Sequence, residues 1–214
     1  MKFRIGHGID IHAFEAGDHV MLGGIRVPHT HGISAHSDGD IVLHAITDAL
    51  LGALGMGDIG QWFPDNDPDL NDISSKDLIM PIIMSMRGNG YELNNLDVTI
   101  VAQVPHVMEH SDAIRKSIAT IFSCEIDRIN IKATSTEKLG AIGRKEGISA
   151  HAVISIIGKT QQDEKLETLL EDTATLQTVN EITIGNIDGD DEIDLSQEID
   201  IREFNFDDID DDAV

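Results

Sequence analysis

The chain has a single cysteine, Cys124. It can form no internal disulfide and no cysteine-built zinc cluster, so a reducing compartment is expected. Basic residues are also scarce, with 15 Lys and Arg against 39 Asp and Glu and a formal charge of −24. Such a polyanion repels phosphate backbones and anionic headgroups, which argues against nucleic acid and membrane surfaces as partners. Long hydrophobic runs are missing too. The stretch Met1 to Gly8 has no apolar core of signal-peptide length and no Arg- and Ser-rich transit composition, and no segment approaches a membrane span. A soluble, cytoplasmic protein is expected.

The acids are unevenly spread. Residues 1–159 hold 20 acids and 13 bases, whereas residues 160–214 hold 19 acids and 2 bases. One ordinary domain over 1–159, followed by an acidic tail over 160–214, is the resulting organisation. Within the tail, Leu166, Leu169, Leu170 and Leu176 suffice for a short amphipathic helix, after which acids alternate with Ile, Leu and Phe. The run Asn186 to Glu192 invites a calcium-loop reading, but no register supplies both the sixth-position Gly and the twelfth-position Glu of an EF-hand. The composition predicts a solvated, mostly disordered segment; the sharper alternative is a recognition segment that folds on a partner.

Residues 3–14 alternate in character and carry Gly6 and Gly8, which predicts a strand whose backbone something approaches closely. After a turn at 16–18, residues 19–27 can pair back as a hairpin. Apolar residues recur at helical spacing from Ser37 to Leu54, with Ser37 or Asp38 as the natural N-cap. Residues 55–73 read as a long irregular loop, of a length more often functional than idle. A helix is expected from about Ser74 to Arg87, with Pro81 as a complication, then a strand over 96–104, a helix over 110–122, and strands over 128–134 and 148–157. Strands and helices mix without a strict βαβ repeat. The fold class is therefore α+β, a mostly antiparallel or mixed sheet with helices packed on one face.

Asp10 and His12 lie two apart on a strand and leave the same face with Cβ atoms about 6–7 Å apart, a workable bite for one metal ion. His44 sits within the apolar helix, where an unpartnered imidazole would be desolvated at a cost, and is a credible third ligand. An Asp-His-His set without cysteine suits a zinc ion whose fourth position is open. At the entry to that helix, His36-Ser37-Asp38-Gly39-Asp40 could meet an anion or could simply cap it; the residues alone leave both readings open. The run Lys132 to Gly140, with three consecutive hydroxyls and Glu137, could hold phosphate oxygens and one Mg²⁺ oxygen ligand, or form an ordinary polar turn.

Together, the GHGxDxH start, the HSDGD run with its LHAxTDALLGA continuation, DIG with FPD, and KATSTEKLG with GRKEGI resemble the 2-C-methyl-D-erythritol 2,4-cyclodiphosphate synthase family of the non-mevalonate isoprenoid pathway. The resemblance runs from Arg4 to about Lys159. It implies a ferredoxin-like sandwich that forms a homotrimer, with active sites between subunits. It further implies Asp10, His12 and His44 as zinc ligands, Glu137 as the carboxylate near a second ion, Mg²⁺ or Mn²⁺, and His36 and Ser135 in transition-state stabilisation. Asp58, Ile59 and Gly60, with Phe63, Pro64, Asp65, Asn66 and Asp67, match the lining of the methylerythritol phosphate, and Asp10, His12, His36, Ser37 and Ala141 are also expected among the substrate-binding residues. Ala102, His106, Val107, Met108, Thr134, Ser135, Thr136 and Glu137 match the surroundings of the cytidine diphosphate, while Arg144 contacts phosphate.

Three departures accompany the resemblance. The family often has Lys where this chain has His106, Thr where it has Ser135, and an aromatic residue where it has Ala141. The first weakens a point charge, the second keeps the hydroxyl, and the third alters the apolar lining expected near the trimer axis. The tail lies outside the family pattern. The implied reaction is an intramolecular phosphoryl transfer that releases CMP; the alternative reading is a low-activity trimeric scaffold presenting acidic tails to a partner.

Overall fold

The strand expected over 3–14 runs from Phe3 to Ala16 (β1), with Gly6 and Gly8 on its buried face and Ile5, Ile9 and Ile11 on its exposed one. The computed structural model describes residues 2–35, 37–64 and 73–158. These belong to one unit, Met1–Glu164; the other, Lys165–Val214, lies outside the described residues, as do the tail and its expected helix. After β1 come β2 (His19–Leu22), β3 (Ile25–Pro28), β4 (His31–Ile33), α1 (Ile41–Leu54), α2 (Ile59–Trp62) and α3 (Ser75–Gly88). Then follow β5 (Tyr91–Val101), α4 (Ser111–Phe122), β6 (Ile129–Thr134), α5 (Gly140–Gly143) and β7 (Gly147–Gly158).

Five strands form one sheet in the order β4-β1-β7-β5-β6. Only β5 and β6 run parallel; every other pair in it is antiparallel. The α+β layering agrees with expectation: α1 covers β1 and β7, α3 reaches β5 and α4 covers β6, all on one face. The core lies between these layers. Leu96, Val98 and Ile100 on β5, Ile129 and Ile131 on β6, and Ile148, Ala150, Ala152 and Ile154 on β7 are all buried there. Each large aliphatic side chain so removed from water contributes about 1.5–3 kcal/mol. Helix α1 buries ten of its 14 residues, which explains why it is apolar nearly all round.

Several boundaries differ from the sequence reading, each for a local reason. Helix α1 starts at Ile41 with Asp40, not Ser37 or Asp38, as its N-cap, because Gly39 adopts φ 68° and breaks the chain out of helical geometry before it. Residues 19–28 do not pair back on β1. Gly23 and Gly24 both have positive φ and close β2 onto β3 as a separate two-stranded sheet, the double-glycine turn favoured in hairpins. It is β4 that pairs with β1, from Phe14↔Ile33 to Ala16↔His31. Strand β5 begins five residues earlier than expected because its pairing with β7 resumes beyond a bulge between Leu93 and Asn95. Ser74 caps α3 as expected, and Pro81 is accommodated inside that helix.

Candidate active site

Gly6 and Gly8 determine where the site forms. A Cβ on Gly6 would stand 1.7 Å from the Ala49 carbonyl oxygen, and one on Gly8 would stand 2.1 Å from that of Ala45. No side chain fits at either place, so α1 rests directly on the backbone of β1. This is the close approach the sequence predicts. It carries His44, in the first turn of α1, to the two residues that β1 turns towards the helices, Asp10 and His12.

The three side chains converge. His12 Nε2 and His44 Nδ1 each lie 3.1 Å from Asp10 Oδ2, and one ligand atom from each residue falls within 4.8 Å of the others. Burial by itself would raise the Asp10 pKa, but the His12 and His44 imidazoles beside it outweigh burial and hold the carboxyl well below the usual carboxylate range. Asp10 is therefore an anion at neutral pH. His12 Nδ1 lies 2.7 Å from the Ser34 carbonyl oxygen. A carbonyl only accepts, so the ring carries its proton on Nδ1 and turns the Nε2 lone pair towards Asp10. Two imidazoles and one carboxylate fit a divalent cation with an open fourth position.

Surrounding groups hold this arrangement in place. His44 Nε2 is 2.9 Å from Ser75 Oγ and 3.1 Å from Ser37 Oγ. Asp48, one turn after His44, accepts the Ile59 N–H at 2.7 Å and so ties the start of α2 to α1; burial pushes its carboxyl above the ordinary value. Neither Asp48 nor Ser75 was singled out from sequence. A carboxylate on an apolar helix, one turn from a candidate ligand, was the available signal for the first; a serine opening a helix gives none for the second.

A cavity of about 320 Å³ opens where the parallel strands β5 and β6 end, the end of a parallel pair at which ligands commonly bind. Ala102, His106, Val107, Met108, Thr134 and Ser135 line it, with Gln103, Pro105, Glu109 and Ala133. The adjoining turn brings Ser135 and Glu137 together: the Ser135 hydroxyl donates to Glu137 Oε1 at 2.7 Å, and the Glu137 N–H donates back to Ser135 Oγ at 3.2 Å. Both clusters lie at the same end of the sheet. Asp10 pairs with Ala150, Ala150 with Ile100, and Ile100 with Ala133, so three inter-strand steps, about 14 Å, separate the two clusters.

The other expected residues are placed less centrally. Asp58 caps α2, accepting the Gln61 N–H at 3.0 Å. Gly60 lies within that helix, Ile59 and Phe63 pack half-buried against the core, and Pro64 is exposed after it. Ala141 on α5 is exposed, and Arg144 is paired with Glu146 at 2.7 Å; neither lines the cavity. His36, Asp65, Asn66 and Asp67 lie outside the described residues.

Comparison with known proteins gives this arrangement a family. The YgbB family model matches residues 3–157, which leaves the acidic tail outside the match. The chain is 52% identical over 154 residues to the 2-C-methyl-D-erythritol 2,4-cyclodiphosphate synthase of Alcanivorax borkumensis, covering 72% of this chain and 96% of that one. It is 50% identical over 154 residues to the synthase of the same name from Proteus mirabilis, with 72% and 96% covered. Among solved structures, the CDP complex of IspF from Plasmodium falciparum is 35% identical with a TM-score of 0.66, covering 74% of this chain and 97% of that one. The bifunctional IspDF from Campylobacter jejuni is 39% identical with a TM-score of 0.71; the match covers 74% of this chain and 43% of the longer one. On a family match spanning the whole sheet, and on half-identity to relatives over nearly their full length, the chain belongs to the YgbB family.

Proposed function

We propose that the chain is a 2-C-methyl-D-erythritol 2,4-cyclodiphosphate synthase, a phosphorus–oxygen lyase of isoprenoid precursor biosynthesis. Its substrate is 4-diphosphocytidyl-2-C-methyl-D-erythritol 2-phosphate. An oxygen of the 2-phosphate attacks the β-phosphorus, the bond from that phosphorus to the oxygen bridging towards the cytidine side breaks, and CMP leaves with the cyclic diphosphate as product. The observation that carries this reading is the convergence of Asp10, His12 and His44 on one point, with family membership beside it.

The nucleophile is already an anion at neutral pH, so no protein base is needed. The chain's task is to fold a flexible polyanion until attacking oxygen, phosphorus and leaving oxygen are in line, and to offset charge as they approach. Asp10, His12 and His44 would hold a zinc ion, which as a Lewis acid polarises a phosphate oxygen when bound. Glu137 would hold the second divalent ion, Mg²⁺ or Mn²⁺, and Ser135 and His36 would donate to charge that develops during transfer. The cavity walls from Ala102 to Met108, with Thr134 to Glu137, would take the cytidine diphosphate. Asp58 to Gly60, Phe63 to Asp67 and Arg144 would complete the methylerythritol phosphate and phosphate contacts, with Ala141 beside them.

A homotrimer with sites shared between subunits belongs to the same reading. The helix-free face of the sheet supports it, for Ile5 and Ile11 on β1 are 62% and 66% exposed there beside Phe3, Ile9 and Val153. Contiguous apolar surface of this kind marks an interface. Residues 1–159 would form the catalytic domain and 160–214 an accessory tail. Cytoplasmic location is part of the proposal; among the described residues no helix is long and apolar enough to cross a membrane.

Phosphorus NMR of the protein with the cytidine diphosphate substrate, Zn²⁺ and Mg²⁺ tests the assignment. CMP and a cyclic diphosphate should form together, and a variant lacking residues 160–214 should turn over at the same rate. An open-chain phosphate product would indicate a zinc hydrolase instead. Unchanged substrate with zinc bound would favour a trimeric scaffold that presents its acidic tails to a partner.

A further inference from the structure

The entrance to α1 and the first turn of α3 meet behind the metal ligand His44. Asp38, two residues before the α1 cap, donates its N–H to the Ile73 carbonyl oxygen at 3.3 Å. Its Oδ2 accepts the Ser75 N–H at 3.2 Å, and its Oδ1 accepts both the Asp40 N–H at 3.2 Å and the Ser75 hydroxyl. Ser75 is 1% exposed, and its Oγ is also the atom 2.9 Å from His44 Nε2. A buried hydroxyl thus lies between a carboxylate and the outer nitrogen of a ligand imidazole.

The donor count makes this chain directional. An ionised carboxylate can only accept, so the Ser75 hydroxyl hydrogen is committed to Asp38. What Ser75 offers His44 is then a lone pair, and His44 must carry its proton on Nε2. The lone pair of Nδ1 is left facing Asp10, where a metal needs it. Ser37 Oγ lies 3.1 Å from the same nitrogen and accepts the Gly39 N–H at 3.2 Å; its second lone pair can accept the Nε2 proton as well. His12 reaches the same end from the other nitrogen, its Nδ1 proton being held by the Ser34 carbonyl. The two imidazoles are set in opposite tautomers by two different acceptors.

We infer that Asp38 and Ser75 are positioning residues for the metal centre: they hold His44 in its Nε2–H tautomer and so present Nδ1 to the cation. The inference rests on the reading of Asp10, His12 and His44 as ligands. It also assigns Asp38 a task beyond complementing the helix dipole. Outer partners of metal-bound histidines contribute to affinity by this route.

The test is zinc affinity of the full chain, measured by competition with a chromophoric chelator, together with long-range ¹H–¹⁵N spectra of the zinc-loaded histidines. Wild type should show Nε2–H for His44 and Nδ1–H for His12. Ser75→Ala should weaken zinc binding by about 10–100-fold, and Ser75→Thr, which keeps the hydroxyl, should restore it. Asp38→Asn keeps one acceptor oxygen but must turn its NH2 either on the Ser75 N–H or on the Ser75 hydroxyl and the Asp40 N–H, so it should lower affinity and mix the His44 tautomers even if Ser75→Ala does not fold. Ser74→Ala removes the α3 cap hydrogen bond to the Lys76 N–H without touching His44, and should leave zinc affinity unchanged. Affinity within about twofold of wild type in folded Ser75→Ala or Asp38→Asn would overturn the inference. So would an equal loss in Ser74→Ala, which would trace the effect to the start of the helix. Wild type that binds no zinc would remove the metal-centre reading itself, and the inference with it.

Discussion

The carbonyl oxygen of Ala45 occupies the place where a side chain on Gly8 would begin, 2.1 Å from the position of its Cβ. Helix α1 and strand β1 therefore touch backbone to backbone, one residue after His44 and two before Asp10. Gly8→Ala must push the helix away, and by overpacking it should lower stability by about 1–3 kcal/mol. It should weaken zinc binding as well, because His44 moves with the helix. Gly52, in the same helix, has no atom within 4 Å of its would-be Cβ, and Gly52→Ala should gain about 0.5–1 kcal/mol. Urea unfolding of both variants checks the contrast; equal stability of Gly8→Ala and wild type would refute it.

Asp40 joins two elements through one carboxylate. Its Oδ1 accepts the N–H groups of Val42 and Leu43 at the start of α1, at 3.1 and 3.0 Å, and that of Gly23 at 2.8 Å, while Oδ2 accepts that of Gly24. Asp40→Ala should cost at least about 2 kcal/mol, since a cap is lost and turn donors are left unpaired in a buried place. Asp40→Asn, which keeps one acceptor oxygen, should cost less. The two variants should rank in that order by thermal unfolding, and the reverse order would contradict the clamp.

His44→Ala removes one of three ligands while leaving the helix with its better former. Bound zinc should be lost and turnover should fall at least about 100-fold, the scale expected when a Lewis acid leaves a phosphoryl-transfer site. The far-ultraviolet circular dichroism should not change. Metal analysis alongside the turnover assay decides the matter, because full activity without zinc would exclude a zinc-dependent site.

Asp97 on β5 supplies a pH test away from the metal. Burial raises its pKa, but hydrogen bonds from Lys132 and from Asn130, the latter at 2.8 Å, together with the Lys132 charge, bring it below the ordinary carboxylate value. A depressed carboxyl contributes stability that is complete above its unfolded value and is lost as the pH falls through the folded one. The stability difference between wild type and Asp97→Asn, up to about 1 kcal/mol for a pair this exposed, should therefore shrink between pH 6 and pH 3. Urea titrations at the two pH values give it directly; a constant difference would mean that the contact does not depend on ionisation.

The candidate metal ligands were legible because two simple periods expose them. Asp10 and His12 share a face by the two-residue repeat of a strand, and His44 is conspicuous as an imidazole within an apolar helix. Gly6 and Gly8 announced a close approach, though not which element would make it. Elements held by local signals came out nearly in place, as α3 did with its Ser74 cap. Contacts fixed by tertiary pairing did not: the β4–β1 edge, the early start of β5 at Tyr91 and the parallel β5–β6 pair all depend on partners distant in sequence. Asp48 and Ser75 were missed for the same reason, since each acts on a residue that only the fold brings near. Ser37, at the entry to α1, lies against the outer nitrogen of His44, a contact that no local pattern reveals.

Strand β1 works like a reading frame. Gly6, Gly8, Asp10 and His12 lie in one phase and serve α1 and the candidate metal site, while Phe3, Ile5, Ile9 and Ile11 lie in the other and form the open apolar face. Point substitutions in either phase can drift separately, because each reaches only one side of the sheet. A single inserted residue before Gly6 would exchange the phases from that point back to Phe3, and one between Gly8 and Asp10 would turn both strand ligands away from His44. Length, more than composition, is thus the property of this strand least open to change.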